Sequence, residues 1–346
     1  MMPSATGIFR RRALGGWLLA LVFVLPAPLR AQPPDADTPT VTVCSYNIYN
    51  WLKTDRPVDG KFLKDAPKPE AEKKAVASIL REINADILAL LEVGRDPIWA
   101  ADLTAYLKKS GLDYPHRTFV SNTDPRIGIL LLSRHPITRN TPRTNDTFSL
   151  RNEQYRVGRG FIDVDIAVTP TYSLTILAGH LKSKRPLPKD QPAESMIRRN
   201  EAIILRSYFE EKLEKDPEAN ILLMGDFNDT PNSITVRTLT GARSDSRFRS
   251  FDLWLTDYLG DRWTHYFTPE HSYSRIDYMV ASPGLFREYL PARSYVYREK
   301  PGAPPHLRWN QASDHRPVVA TFTARDLPAP ASPSAEPMTA PGTVPE

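Results

Sequence analysis

Asn220-Ile-Leu-Leu-Met-Gly-Asp226-Phe-Asn228 decides how this chain is read: an apolar run meets a glycine and then an acid and a carboxamide. A short apolar run bounded by turn-forming polar residues is the pattern of an interior strand. Three other runs finish in the same manner, Val41-Thr-Val-Cys-Ser-Tyr-Asn47, Asp86-Ile-Leu-Ala-Leu-Leu-Glu92 and Leu174-Thr-Ile-Leu-Ala-Gly-His180. Two begin on the polar group instead: Asp277-Tyr-Met-Val-Ala281, and Ser313-Asp314-His315 ahead of Pro317-Val-Val-Ala-Thr-Phe322. If the first four point one way and the last two return antiparallel, every polar tip reaches one edge of the sheets. So much acid at one edge suggests a divalent cation and a phosphate.

Helical spacing surrounds these runs. Apolar residues at Ala75, Ile79 and Ile83 predict a helix over 71–83, and a second is read over 98–109. A long helix over 192–213 starts near Pro192 and places Ile197, Ile203, Ile204, Tyr208 and Leu213 on its apolar face. Further strands are expected at 126–133, 160–168, 264–267 and 274–281. Helices interspersed with strands, ending in a strand-rich third, predict an α/β sandwich with mixed sheets. No linker or repeat divides it.

The 346 residues are 41% hydrophobic and 25% charged, ordinary values for a globular protein. Phe9-Arg-Arg-Arg12, an apolar stretch over 13–25 and Pro26-Ala-Pro-Leu-Arg-Ala31 read as a secretory signal over 1–31. The apolar stretch is shorter than the ~20 residues of a membrane span. An exported protein, periplasmic or secreted, is therefore expected, with no integral membrane segment after cleavage. Removing Arg10, Arg11, Arg12 and Arg30 takes four of the five excess positive charges and leaves +1. Global charge thus gives no argument for nucleic acid, and only local patches can. A Pro-rich leader over 32–40 and a Pro/Ala/Ser tail over 326–346 are expected to be disordered, flanking one domain over 41–325. The lone Cys44, inside the first strand, is read as a small buried hydrophobe.

The chemistry lies in the tips. A carboxylate such as Asp226 can hold water or accept its proton, and a carboxamide such as Asn228 can donate to a phosphoryl oxygen. Strand alternation would point both into one cleft, with Phe227 on the opposite face. His315 can act protonated against a phosphate or as a base, and a nearby carboxylate, for which Asp277 is the candidate, raises its pKa. Glu92 is a hard oxygen ligand suited to magnesium, and Asn47 can hold the same water shell. His180 precedes Lys182-Ser-Lys184-Arg185, a basic run able to receive a phosphodiester, with Arg159 a weaker clamp and Arg198 and Arg199 nearby. His116, His135, His265, His271 and His306 have no partner pattern and are read as structural. The stretch Trp263-Thr-His-Tyr-Phe267 is read as core or cleft wall.

With these residues assembled, the chain resembles the endonuclease/exonuclease/phosphatase superfamily, whose members include deoxyribonuclease I and sphingomyelinases. The resemblance spans roughly 41–323, with the motifs in order. It implies a four-layered α/β sandwich, two mixed sheets flanked by helices, hydrolysing phosphate esters with Mg2+ or Mn2+. It makes Glu92 the principal metal ligand, with Asn47 beside it and Asp314 near the metal. Asp226 would activate or position water, Asn228 and His180 would be transition-state donors, and His315 would contact phosphate, oriented by Asp277. An Asp226 base and a His315 base both fit. Histidine at position 180, where some DNA-repair members carry asparagine, is similar to the secreted branches. The expected protein is a monomeric phosphodiesterase that favours nucleic acid. The alternatives are a phosphatase or phospholipid phosphodiesterase, and a non-catalytic binding protein.

Overall fold

Apolar runs too continuous for a half-exposed strand become strands buried on both faces. In this computed structural model, which describes residues 38–58, 60–188, 192–241 and 246–328, they build two six-stranded mixed sheets. Sheet strands in chain order are β1 (Thr40–Trp51), β2 (Ile87–Gly94), β3 (His116–Val120), β4 (Ile127–Ser133), β5 (Ile137–Asn140) and β6 (Phe161–Thr169). They continue with β7 (Tyr172–His180), β8 (Ile221–Asp226), β9 (Phe251–Asp252), β10 (Asp277–Ala281), β11 (Tyr295–Val296) and β12 (Val318–Thr323). The first sheet runs β11-β12-β1-β2-β4-β3 and the second β9-β10-β8-β7-β6-β5.

Each sheet centres on a parallel pair, β1 with β2 and β7 with β8. Beside it lies an antiparallel return, β12 on β1 and β10 on β8. The expected polarity therefore holds. Asn47 and Glu92 end one parallel pair, His180 and Asp226 end the other, and Asp277 and His315 sit where the return strands begin.

Side-chain alternation splits the core into three layers of contact. Val41, Val43, Ile87, Ala89, Ile129 and Leu131 face Ile162, Val164, Leu174, Ile176, Leu222 and Met224 between the sheets. On the first sheet's outer side, Cys44, Tyr46, Leu88 and Leu90 pack on α1 (Glu70–Ile83) and α2 (Pro97–Lys109) through Ile79, Leu80, Leu103 and Leu107. On the second sheet's outer side, Leu177, Leu223 and Val280 meet α3 (Glu194–Lys215) through Ala202, Leu205, Phe209 and Leu213. Helix, sheet, sheet, helix is the four-layered sandwich. The boundaries of α1 and α2 are set locally: Asn84 ends α1 in the left-handed region, and the Asp96 carboxylate caps the Ile98 amide at 2.9 Å.

Three expectations are corrected. The long helix spans Glu194–Lys215, and its buried face is rotated: Arg198, Glu201, Ala202, Leu205, Arg206 and Phe209 are buried, whereas Ile203 is 46% exposed. Hydrophobicity alone misplaces this face because three polar side chains on it find partners inside. The strand expected over 274–281 is two elements. Ser272–Ser274 pairs with His265–Phe267 as a hairpin, and β10 starts at Asp277. At the tail, Asp326 accepts a bond from Asn220 at 2.8 Å and the Leu327 carbonyl one from Arg287 at 3.0 Å, so 326–328 dock on the domain. The expected signal, residues 32–37 of the leader and the remainder of the tail lie outside the described residues, while Thr40, expected in the leader, begins β1.

Gly225 and Gly179 face each other across β7 and β8, one residue before Asp226 and His180. Gly225 has φ +138°, and a Cβ there would lie 1.9 Å from the Gly179 carbonyl oxygen. Gly225→Ala is therefore expected to destabilise the fold by ~3 kcal/mol or more, read as a lowered urea midpoint, because backbone cannot yield as a side chain can.

At the opposite end of the second sheet, the Glu288 carboxylate, 1% exposed, receives the Tyr172 hydroxyl. Burial pushes the Glu288 carboxyl up to about 7, against the Tyr172 bond and with help from the Asp326 charge. Its native pKa exceeds its unfolded one, so its contribution is complete below ~4.3 and is lost as pH rises through about 7. Glu288→Gln is expected to raise stability at pH 8 by ~1–3 kcal/mol relative to its effect at pH 4. Equal shifts at both pH values in chemical denaturation would refute this.

Candidate active site

At three of the tips the chain bends sharply. Tyr49, Asn50, Glu92 and Asn228 all have positive φ, between +52° and +63°. Such strain in non-glycine residues persists only where surrounding structure fixes it, and it gathers at functional sites. Glu92 is the extra residue of a bulge: the register on both β1 and β4 slips across it. A bulge re-aims one side chain. Here it turns Glu92 into the cleft, where the Asn50 amide holds its Oε2 at 3.0 Å. Asn228 likewise reaches the cleft through a left-handed turn beyond the end of β8, not through the strand alternation expected from sequence.

Asn47, from the first sheet, joins the two halves. Its amide nitrogen donates to Glu92 Oε1 at 3.3 Å and across to Asp226 Oδ2 at 3.2 Å. The same Asp226 oxygen lies 3.3 Å from His180 Nε2 and 3.8 Å from His315 Nε2. Its other oxygen accepts the Asn228 amide at 2.9 Å. On the far side of the His315 ring, Nδ1 meets Asp277 Oδ2 at 2.9 Å. One imidazole thus lies between two carboxylates. The nearby Ser313 hydroxyl donates to the Asn47 carbonyl at 2.7 Å, tying the last motif to the first.

Asn47, His180, Asp226, Asp277 and His315 are all at most 4% exposed, so their charges act on one another with little screening. Burial alone would lower the His315 pKa, but Asp277, Asp226 and Asp314 outweigh it and lift it to about 10. Burial pushes the Asp226 carboxyl up, yet His180, His315 and the Asn228 amide hold it well below the usual carboxylate range. Asp277 is pushed up by burial and by the Asp226 charge, against His315. The ground state is an imidazolium between an ionised Asp226 and a higher-pKa partner in Asp277.

Two groups among the described residues bring metal-ligating atoms together: Asp226, Asp277 and His315, and His265, Asp314 and His315. The first is poorly suited to a cation, because both ring nitrogens of His315 already face carboxylates. Neither includes Glu92. Glu92 with the Asn47 amide oxygen still fits a hard ion, since Mg2+ takes one or two carboxylates and keeps its waters. The buried Asn50 Oδ1 close by has no hydrogen-bond partner, as an oxygen facing a cation's water shell would. Asp314 is joined by His265, 3.8 Å away, a residue read from sequence as structural. Burial raises the Asp314 carboxyl, and His265 and His315 together bring it below its ordinary value.

The basic residues are more committed than the sequence implies. Arg159 is 8% exposed, and its guanidinium serves Asp124 at 3.0 Å and the carbonyls of His180 and Leu181 at 3.2 and 2.6 Å. It braces the His180 loop and does not reach out as a clamp. Lys182 Nζ folds back on the carbonyls of Ser183 and Arg185, and Lys184 sits 3.3 Å from Asp229 with its side chain 55% exposed. Arg198 is buried against Asp229, while Arg185 and Arg199 are exposed.

Sequence reasoning also missed Thr264, whose hydroxyl accepts both the Ile276 and Asp277 amides at 3.1 Å and so fixes the start of β10. No local pattern marks it, because its partners lie twelve and thirteen residues on.

Many solved structures share the fold, among them the following. The human Nocturnin catalytic domain, solved with bound sulfate, has TM-score 0.56 at 17% identity over 82% of this chain and 94% of that one. Truncated TDP2 of Caenorhabditis elegans has TM-score 0.52 at 19% identity over 82% and 98%. Beta toxin of Staphylococcus aureus has TM-score 0.53 at 15% identity over 81% and 99%. No curated protein matches the sequence. The Endonuclease/Exonuclease/phosphatase family profile matches residues 44–315, from the first strand to the last histidine of the site, and the chain belongs to that family.

Proposed function

We propose that this protein is an exported, Mg2+-dependent phosphodiesterase acting on nucleic acid. Family membership supports metal-dependent hydrolysis of phosphoesters. The single observation that carries the reading further is the pair of imidazoles, His180 and His315, meeting one ionised carboxylate beside Glu92. Glu92 and Asn47 would hold the ion, which when bound supplies Lewis-acid charge at a phosphoryl oxygen.

The electrostatics support the following division of the remaining roles. His315, with a pKa of about 10, is already protonated at neutral pH, so it donates to phosphate and does not serve as the base. Asp226 stays ionised and aligns the attacking water, accepting its proton as charge develops. Asp277 keeps the His315 ring oriented. His180 and the free amide hydrogen of Asn228 are donors for the charge that builds on the phosphoryl group. The exposed Arg185, Arg199 and Lys184 favour an extended phosphodiester.

A second reading, a phosphodiesterase of lipid surfaces, is favoured by one observation. Phe62 and Leu63, 70% and 42% exposed, lie between Lys61 and Lys64 in the second strand of the hairpin formed by Thr54–Val58 and Lys61–Ala66. Apolar side chains among lysines suit a membrane interface.

A substrate panel tests both readings. Plasmid nicked with Mg2+ and spared in chelator is the expected result. Plasmid left intact would overturn the nuclease reading, and phospholipid hydrolysis beside intact plasmid would favour the second.

A further inference from the structure

His180 ends β7, and the backbone of Leu181 and Lys182 that follow it is held at every polar group. The Leu181 amide donates to the Asp226 carbonyl at 3.0 Å. The Leu181 carbonyl accepts from Arg159 at 2.6 Å and from Asn228 at 3.0 Å, and the Lys182 carbonyl accepts from Arg198 at 3.0 Å. The Lys182 amide donates to Glu201 Oε2 at 2.6 Å. The other Glu201 oxygen accepts the Gly158 amide at 3.0 Å, one residue before Arg159. Glu201 comes from the middle of α3 and is 2% exposed. One carboxylate therefore ties together the loop that follows His180 and the one that carries Arg159, and does so from a helix that adds no side chain to the His180, Asp226 and His315 cluster.

We propose that Glu201 is a positioning residue: by accepting the Gly158 and Lys182 amides at once, it sets the His180 ring against Asp226. The activity consequence rests on the phosphodiesterase reading, whereas the geometric one does not. A carboxylate meets the requirement with one oxygen for each amide. Glutamine offers one acceptor and turns an NH2 toward the other amide, so the usual conservative replacement is expected to fail here. Aspartate is one methylene short of spanning both loops.

The experiment compares Glu201→Gln and Glu201→Asp with Arg139→Gln, a control that loses remote ion pairs to Asp163 and Asp165 and touches no site residue. With bis(4-nitrophenyl) phosphate and Mg2+ as probe, Glu201→Gln is expected to lose ~10²-fold in kcat, with KM changed far less, since a misplacement of about 1 Å costs that much. By NMR, the Lys182 and Gly158 amide protons should lose their exchange protection and the His180 ring resonances should move. In Arg139→Gln they should not. A kcat loss no larger than that of Arg139→Gln at equal folded fraction would overturn the proposal, and so would unmoved His180 resonances. If the wild-type chain leaves every phosphodiester intact, the functional reading falls, and the His180 resonances still decide whether Glu201 sets the ring.

Discussion

Asp226→Asn loses about 10²–10⁴-fold in kcat while the chain stays folded. The substitution keeps the size and one acceptor oxygen for the Asn228 amide, so near-native circular dichroism is expected. What it removes is the charge that lies 3.3 Å from His180 and 3.8 Å from His315. Without it the cleft loses the one carboxylate that faces both imidazoles. The Asn47 amide, which donates to this oxygen at 3.2 Å, could also lose its cross-sheet partner. Stopped or continuous assays on whichever substrate the panel yields would measure the loss. Wild-type turnover in Asp226→Asn would end the assignment of this carboxylate to the water.

Asp277→Asn is expected to act through His315 and to show itself in the pH profile. The imidazolium is the form below about 10, and Asp277 is the largest single reason it persists so high. Removing that charge lowers the histidine pKa, so the proton donor disappears at a lower pH and the alkaline limb of kcat moves toward neutrality. At pH 9 the combined loss should approach that of His315→Gln, about 10²–10⁴-fold, and at pH 6 it should be much smaller. The same raised pKa adds stability that is complete below ~6.5 and declines as pH climbs through about 10, so the variant should also lose its alkaline-sensitive share of stability. An alkaline limb unchanged from wild type would separate Asp277 from the chemistry.

Much of this site was legible in the sequence because strand ends are where a parallel pair must turn, and polar residues there stand out against apolar runs. Asn47, Glu92, His180 and Asp226 were visible for that reason, and the polarity of β10 and β12 followed from their polar group coming first. Directions produced by backbone strain were not legible. Nothing local says that Glu92 and Asn228 adopt positive φ, and the cleft depends on both. Buried polar side chains were equally opaque. Arg159 and Arg198 read as available cations, but Asp124, Asp229 and loop carbonyls consume them. His265 had no sequence partner because its neighbour His315 lies fifty residues away, across an isolated bridge from the hairpin strand His265–Phe267.

The divided ownership of the cleft gives the greasy middle of the sandwich a duty of its own. Asn47, Glu92 and His315 hang from one slab, His180, Asp226 and Asp277 from its opposite number, and the bonds that unite them span 2.9–3.8 Å. Sliding one slab by a single residue, about 3.3 Å, would sever every one of those links while leaving each slab's own ladder intact. Valines and isoleucines that never approach a substrate are therefore the alignment pins of the reaction.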